Sequence, residues 1–455
     1  MRTLANLLFH VPVSHGPLPL LIGAGALASL VAFVRRHRGG LRLRVLLAWF
    51  GAALAGITAI GMAVGIENRV GSSFPRSFFV WGSLPVFGLA VTADAWRHGQ
   101  RRVLAWGLLG AVLFGLFGAA EVNAHYAYVP TVGDLLGAPM RDQVPAERPE
   151  HVRLAAAHPG LSAAPTATPT DLLPFDAADV RARPDRGVLV EVRMPGTVSH
   201  FAARPGFVWL PPAYLHDPNA PLPVVMLLAG VPGDPSNMAR AAGAPAIADA
   251  YAAAHGGTAP ILVFPDHNGG FFRDTECVDG PRGTAETYLT ADVPAFVHAA
   301  IPSTVSSPWA VIGYSEGGTC AVTLTLRHPG LFRAFVDIAG DPAPNAARGP
   351  RAGALTLSRL YGNDLRAWQQ HDPRRILLQH PPVGVAGWFV VGNGDRAPLS
   401  AAQTLSTEAR AAGLDISFLE MRGGHNFDTV RHALATTFPP VADRLLTTAG
   451  ARPAS

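Results

Sequence analysis

The sequence predicts a chain in two parts: four apolar helices able to span a membrane, then an α/β domain on a mostly parallel sheet. Three observations carry this. Four long uncharged runs crowd into the first 120 residues, a Pro- and Ala-rich stretch follows them, and beyond residue 186 short β-type runs alternate with Ala-rich helical ones. With 455 residues, 49% of them apolar and 15% charged, the chain is excluded from the disordered class and has room for two or three folded units.

The uncharged runs cover residues 18–34, 45–66, 77–93 and 103–120. At about 1.5 Å per residue, each approaches the roughly 30 Å hydrocarbon layer once tilt or interfacial flanks are included. A cleaved signal peptide would place its basic cluster ahead of a single apolar run. Here the cluster follows the first run, and three more succeed it. Orientation follows from the connections. The first carries Arg35, Arg36, Arg38, Arg42 and Arg44, the third Arg97, Arg101 and Arg102, while the second offsets Arg69 and Arg76 with Glu67. The positive-inside rule puts the first and third connections in the cytoplasm and both ends of the bundle outside. A multi-pass protein of the cytoplasmic membrane is expected, with everything after the bundle extracytoplasmic. Residues 1–120 hold 11 arginines and two acids, and residues 121–455 hold 25 arginines and 30 acids. The second part is thus mildly acidic and lacks the basic balance that a nucleic-acid partner calls for.

Residues 1–123 are therefore read as a four-span transmembrane domain and 124–185 as a linker. Tyr126 and Tyr128 suit the membrane–water interface, and Ala163-Ala164-Pro165-Thr166-Ala167-Thr168-Pro169 suits an extended tether. Residues 186–448 form the α/β domain, with 449–455 as a tail. Strands are expected at 188–194, 207–210, 224–228, 261–264, 309–312, 335–338, 388–391 and 416–421.

The most informative string is Gly313-Tyr314-Ser315-Glu316-Gly317, which ends a β-type run and precedes a helix-compatible stretch. Strand, sharp turn and helix in that order make a nucleophile elbow, with the Ser315 hydroxyl exposed at a helix N-terminus. A serine nucleophile needs a base and the base an orienting acid. His425 follows the last expected strand, and Asp395 follows the 388–391 strand in Gly392-Asn393-Gly394-Asp395. The order Ser, Asp, His is that of α/β-hydrolases. Asp337, Asp364 and Asp372 remain alternatives for the acid. The tetrahedral intermediate needs two N–H donors. Glu316, directly after the nucleophile, supplies one. The turn Ala229-Gly230-Val231-Pro232-Gly233 supplies the other, from Val231 or else Gly233, because Pro232 has no N–H.

Residues 186–448 resemble the putative-esterase branch of the α/β-hydrolases, which includes esterase D-like enzymes and secreted actinobacterial mycolyltransferases. The strings that carry the resemblance are Leu228-Ala229-Gly230-Val231-Pro232-Gly233-Asp234, Asp274-Thr275-Glu276-Cys277-Val278-Asp279, Gly313-Tyr314-Ser315-Glu316-Gly317-Gly318, Arg327-His328-Pro329-Gly330-Leu331-Phe332 and Gly424-His425-Asn426-Phe427. The four-run front, followed by Tyr128-Val129-Pro130-Thr131, is similar to membrane-anchored actinobacterial members. The resemblance implies a serine nucleophile with an acid and a histidine, and no metal or cofactor. Ala229 departs from esterase D-like members, which commonly carry a histidine before the glycine.

The reading is a membrane-anchored, extracytoplasmic serine esterase acting through an acyl-enzyme on a carboxylic ester, with a membrane or envelope lipid as the favoured substrate. Acyl transfer to a hydroxyl acceptor and hydrolysis of an aminoacyl phospholipid use the same site. A catalytically inactive binding module is the non-enzyme alternative. Two cysteines cannot build a zinc site of Cys pairs. In an oxidising compartment Cys277 and Cys320 are expected to pair, the alternative being two buried thiols.

Overall fold

The computed structural model describes residues 11–13, 15–36, 43–68, 76–97, 101–136, 138, 140, 143–144, 185–301, 304, 308–347 and 349–449. The Pro/Ala-rich part of the expected linker, most of the three arginine-bearing connections and the tail beyond residue 449 lie outside the described residues. The chain divides into two compact units, Met1–Ala138 and Pro139–Ser455.

The first unit holds four long helices, α1 (Pro17–Arg36), α2 (Leu43–Asn68), α3 (Arg76–Arg97) and α4 (Arg101–Tyr126). Two of them, Pro17–Arg36 and the Val103–Tyr126 part of α4, are long and apolar enough to cross a membrane. The others contain shorter apolar stretches, Arg44–Ile60 and Phe79–Asp94. Phe33, Ala53, Phe87, Val91 and Val103 form a small core where the helices meet. Buried or half-buried hydroxyls bond back to their own helix: Ser29 Oγ to the Gly25 carbonyl (2.8 Å), Thr58 to Leu54 (2.7 Å) and Thr92 to Gly88 (2.8 Å). Such bonds let polar side chains sit among apolar ones without losing a partner.

The second unit is built on a nine-stranded sheet. Its strands are β1 (Gln143–Val144), β2 (Val188–Val192), β3 (Gly206–Leu210), β4 (Val224–Leu228), β5 (Ile261–Phe264), β8 (Trp309–Tyr314), β9 (Phe332–Ile338), β10 (Ala386–Gly392) and β11 (Asp415–Met421). A small hairpin, β6 (Asp279–Gly280) and β7 (Gly283–Thr284), stands apart. The spatial order is β1-β2-β3-β5-β4-β8-β9-β10-β11. The pairs β2–β3 and β3–β5 are antiparallel and the other pairs of this sheet are parallel. Every residue of β4 and β8 is buried, which explains why their sequences read as unbroken apolar runs and not as alternating ones. Parallel pairing brings the carboxyl ends of β4, β8, β9, β10 and β11 to one edge: Leu228 pairs with Gly313, Gly313 with Asp337, and Gly392 with Met421. Turns leaving that edge carry every residue of the candidate site. The helices that return the chain include α5 (Ala244–Ala254), α6 (Val293–Ala300), α7 (Glu316–Arg327), α11 (Arg396–Ala411) and α12 (Phe427–Ala449). Between β9 and β10 lie the shorter α8 (Ala352–Tyr361), α9 (Leu365–Gln370) and α10 (Pro373–Gln379).

A single buried carboxylate ties this last segment to the rest. Glu286, in the short helix after β7, accepts bonds from Arg327 Nε (2.6 Å) and His328 Nε2 (2.7 Å) at the end of α7. It also accepts one from His371 Nε2 (2.8 Å), which follows α9. Burial alone would raise its pKa, but the bonds from His328, His371 and Arg327 outweigh burial and hold it well below the usual carboxylate range. A depressed folded pKa stabilises above the unfolded value of about 4.3 and the benefit is lost as pH falls below it. Glu286→Gln should therefore cost about 3 kcal/mol at pH 7, with the difference between parent and variant starting to shrink at about pH 4 and narrowing further as the pH falls toward the depressed folded value. Chemical denaturation of the second unit, followed by tryptophan fluorescence at both pH values, checks this. Equal midpoints at pH 7 would refute the hub.

Candidate active site

The site grows out of the turn between β8 and α7. Ser315 has φ 57° and ψ −121°, a conformation that a side chain-bearing residue adopts only when its surroundings impose it. The imposition comes from backbone contact on both sides of the turn. A Cβ on Gly313 would lie 1.7 Å from the Gly317 carbonyl oxygen, so strand and helix can approach this closely only without side chains there. The Ser315 N–H is held by the Ile338 carbonyl (2.9 Å) on the neighbouring strand, and its own carbonyl accepts from Gly318 and Thr319 as α7 begins.

His425 and Asp395 arrive from the same edge. His425 Nε2 lies 2.9 Å from Ser315 Oγ, and His425 Nδ1 lies 2.5 Å from Asp395 Oδ2. The imidazole is also flanked by the Tyr314 ring at 4.9 Å, which limits its rotation. The other carboxylates considered for this role serve elsewhere. Asp337 is buried under the start of α7, accepts the Gly340 N–H (2.7 Å) and is pushed up to about 7 by burial. Asp364 and Asp372 cap α9 and α10. The structure thus joins Ser315, His425 and Asp395 in one hydrogen-bonded chain and leaves those three carboxylates in structural positions.

The turn after β4 lies against the nucleophile: a Cβ on Gly230 would sit 2.8 Å from Ser315 Cβ. Val231 precedes Pro232 through a cis peptide bond. The Gly233 N–H is already bonded to the Phe271 carbonyl (2.8 Å), so of the two residues named for this donor only Val231 keeps the role open. Glu316 occupies the first position of α7, where a backbone N–H has no partner within the helix.

One part of the site was not legible from motifs. The Glu316 side chain points into a buried cluster formed by the loop after β5. Its Oε2 lies 2.8 Å from His267 Nε2 and accepts from Asn268 Nδ2 (3.2 Å). The signal was the polar run Asp266-His267-Asn268 directly after an apolar strand, but its partner stands 49 positions away in the chain. Glu276 is buried beside it and held well above the usual carboxylate range, chiefly by burial and then by the nearby Asp274 and Glu316. Cys277 and Cys320 are joined in a disulfide, which staples the 274–277 loop to α7. The donor atoms of His267, Cys277, Glu316 and Cys320 all lie within 4.8 Å of one another. With the sulfurs bonded to each other, two of the four are not the thiolates that a zinc site uses.

The disulfide closes a loop of 43 residues, worth about 4 kcal/mol in the chain-entropy account. The paired variant Cys277→Ala/Cys320→Ala, or reduction of the parent, should lower the unfolding free energy by about 2–4 kcal/mol. Denaturation with and without a dithiol reductant measures this, and coincident curves would dismiss the staple.

Residues 202–439, more than half of the chain and a span that contains Ser315, Asp395 and His425, match the family described as "Putative esterase". The chain is 30% identical over 450 residues to an uncharacterized protein of Corynebacterium glutamicum, covering 95% of this chain and 97% of that one. It is 27% identical over 158 residues to the diacylglycerol acyltransferase/mycolyltransferase Ag85B of Mycobacterium intracellulare. That match covers 31% of this chain and spans about half of the relative's length, 47%. Among solved structures, a ferulic acid esterase superposes with a TM-score of 0.47 at 19% identity, over 57% of this chain and 98% of that one. The chain belongs to the "Putative esterase" family of α/β-hydrolases and is a serine hydrolase or acyltransferase.

Proposed function

We propose that the protein is a membrane-anchored serine esterase whose hydrolase unit lies outside the cytoplasmic membrane and acts on a carboxylic ester of a membrane or envelope lipid. The observation that carries the chemistry is the continuous chain Ser315 Oγ, His425 Nε2, His425 Nδ1, Asp395 Oδ2, with contacts of 2.9 and 2.5 Å. His425 takes the hydroxyl proton as Ser315 Oγ attacks the ester carbonyl, and Asp395 holds the ring in the tautomer that leaves Nε2 free to accept it. Backbone N–H groups of Glu316 and Val231 receive the negative charge of the tetrahedral intermediate. His425 then returns the proton to the departing alcohol, leaving Ser315 acylated. Water, activated by the same histidine, hydrolyses the acyl-enzyme and regenerates the serine.

Two features support a lipid substrate at a membrane. Phe271 and Phe272 form an edge-to-face pair beside the oxyanion turn, and Phe272 is 78% exposed. An exposed aromatic pair there suits contact with an acyl chain. On the helices of the first unit, Leu20, Leu21, Leu27, Leu47, Ile60, Leu89 and Val112 are all exposed. So many large apolar side chains facing outward are costly in water and natural in lipid. This supports four spans, including the two whose apolar stretches are short, since flanking residues can reach the interfaces. A second reading, transfer of the acyl group to a hydroxyl acceptor, draws on the mycolyltransferase name of the Mycobacterium relative. It differs only in which hydroxyl enters the acyl-enzyme.

A fluorophosphonate probe should label the parent at Ser315 and leave Ser315→Ala unlabelled. His425→Ala should lose nearly all ester turnover, and Asp395→Asn about four orders of magnitude, by freeing the wrong tautomer. Near-normal turnover in Asp395→Asn would reject it as the orienting acid. Orientation is checked with reporters that are active on one side of the membrane only. One fused after Gly137 should work when its active compartment is extracytoplasmic, and one inserted between Gly39 and Gly40 when it is cytoplasmic. The reverse pattern would overturn the topology.

A further inference from the structure

The residue after the nucleophile is a glutamate, and that creates a difficulty for the chemistry. The backbone N–H at this position is meant to receive an oxyanion, yet the same residue carries a carboxylate. Like charges a few ångströms apart in a water-poor site repel, and the repulsion grows as negative charge develops on the substrate oxygen. An unpaired Glu316 would therefore oppose the step that its own N–H assists.

The fold answers this on one side of the turn. The Glu316 side chain is buried, and its carboxylate meets His267 Nε2 at 2.8 Å and Asn268 Nδ2 at 3.2 Å. His267 is 3% exposed, and among the described residues its Nδ1 has no hydrogen-bond partner and Glu316 is the side chain that its ring engages. The loop that presents the ring is itself interlocked. Thr275 Oγ1 donates to the His267 carbonyl (2.8 Å), and Asn268 Oδ1 accepts the Thr275 N–H (2.9 Å). The Cys277–Cys320 disulfide fastens that loop to α7 four residues beyond Glu316. Three elements thus hold one carboxylate in place.

We propose that His267 is a positioning residue for the oxyanion site: paired with Glu316, it keeps the carboxylate's charge cancelled and its backbone N–H aimed at the reacting carbonyl. The proposal rests on the reading of Ser315 as nucleophile and Glu316 N–H as oxyanion donor. The facing carboxylates raise the ring's affinity for a proton. Burial disfavours the imidazolium, but the carboxylates of Glu316 and then Asp266 outweigh burial and the opposing Arg204, and lift the ring's pKa. Asp266 is in turn occupied by Arg204, through contacts of 2.7 and 2.9 Å. The remaining acids facing Glu316 are Asp274 and Glu276, both pushed up chiefly by burial. Asp274 is raised to about 7 and is partly offset by Arg282.

Two measurements on the full chain in detergent test the pairing. The first compares kcat and KM on p-nitrophenyl butyrate for the parent, Ser315→Ala, His267→Gln and His267→Gln/Glu316→Gln. His267→Gln keeps a donor within reach but removes the charge. It should lower kcat about 10- to 100-fold with KM within about threefold, because the loss is confined to the transition state. The paired variant, which removes both charges, should recover most of that loss. A His267→Gln enzyme with parental kcat overturns the proposal, and so does a paired variant as impaired as the single one, which would mark a merely structural role. If the parent turns over the ester no faster than Ser315→Ala, the nucleophile reading falls and takes the proposal with it. The second measurement needs no turnover. In ¹⁵N-histidine-labelled protein at pH 7, the resonances lost in His267→Gln should show an imidazolium in the parent and a neutral ring in Glu316→Gln. A neutral ring in the parent overturns the proposal alone.

Discussion

Every functional distance in the second unit depends on the strained backbone at Ser315. Its φ of 57° and ψ of −121° lift the hydroxyl out of the sheet edge, toward a histidine more than a hundred residues away in the chain. A turn this sharp is tolerated only because strand and helix pack backbone against backbone at Gly313 and Gly317. Parallel pairing does the rest. Since β4, β8, β10 and β11 all run the same way, the turns leaving their carboxyl ends converge, and residues scattered from 229 to 425 share one edge.

The second unit holds several buried or partly buried acids, and each is either paired or suppressed. Asp395 meets a histidine. Glu316 meets a histidine and an amide. Glu286 takes two histidines and an arginine and thereby joins three separate segments. Asp337 receives a backbone N–H and is pushed up to about 7, and Glu276 is held well above its usual range, both mainly by burial. Charge is therefore either paired or suppressed, the two ways in which a buried carboxyl is tolerated. The nucleophile and its base gain from this arrangement, because no uncompensated carboxylate other than the orienting Asp395 needs to sit beside them.

The first unit obeys different rules. Its helices expose leucines and valines outward and keep a modest core within. Hydroxyls along these helices bond to their own backbone, so Ser29, Thr58 and Thr92 each keep a partner within the helix. Under the proposed function, four spans would exceed what simple retention at a membrane demands, which is the reason for preferring a substrate that resides there.

Much of this was legible in the sequence wherever the governing pattern is local. The apolar runs, the β4, β5 and β8 strands, and the Gly-x-Ser-x-Gly turn each follow from neighbours within a few residues, so period and composition were enough. The β9 strand starts at Phe332 and not at 335, and β1, β6 and β7 are two-residue strands, too short to leave a periodic signal. Four aspartates were eligible to orient the histidine, since chain order does not say which faces it. The tertiary structure separated them, placing Asp395 at 2.5 Å from the ring, Asp337 beneath α7, and Asp364 and Asp372 on helix caps. The same holds for the Gly233 N–H, which is engaged by the Phe271 carbonyl, and for the pairing of His267 with Glu316. By itself the sequence determined the elements and the kind of chemistry, because backbone preference and motif are read along the chain. Only the fold decided which charges meet, because hydrogen bonding and burial depend on residues that the chain keeps dozens of positions apart.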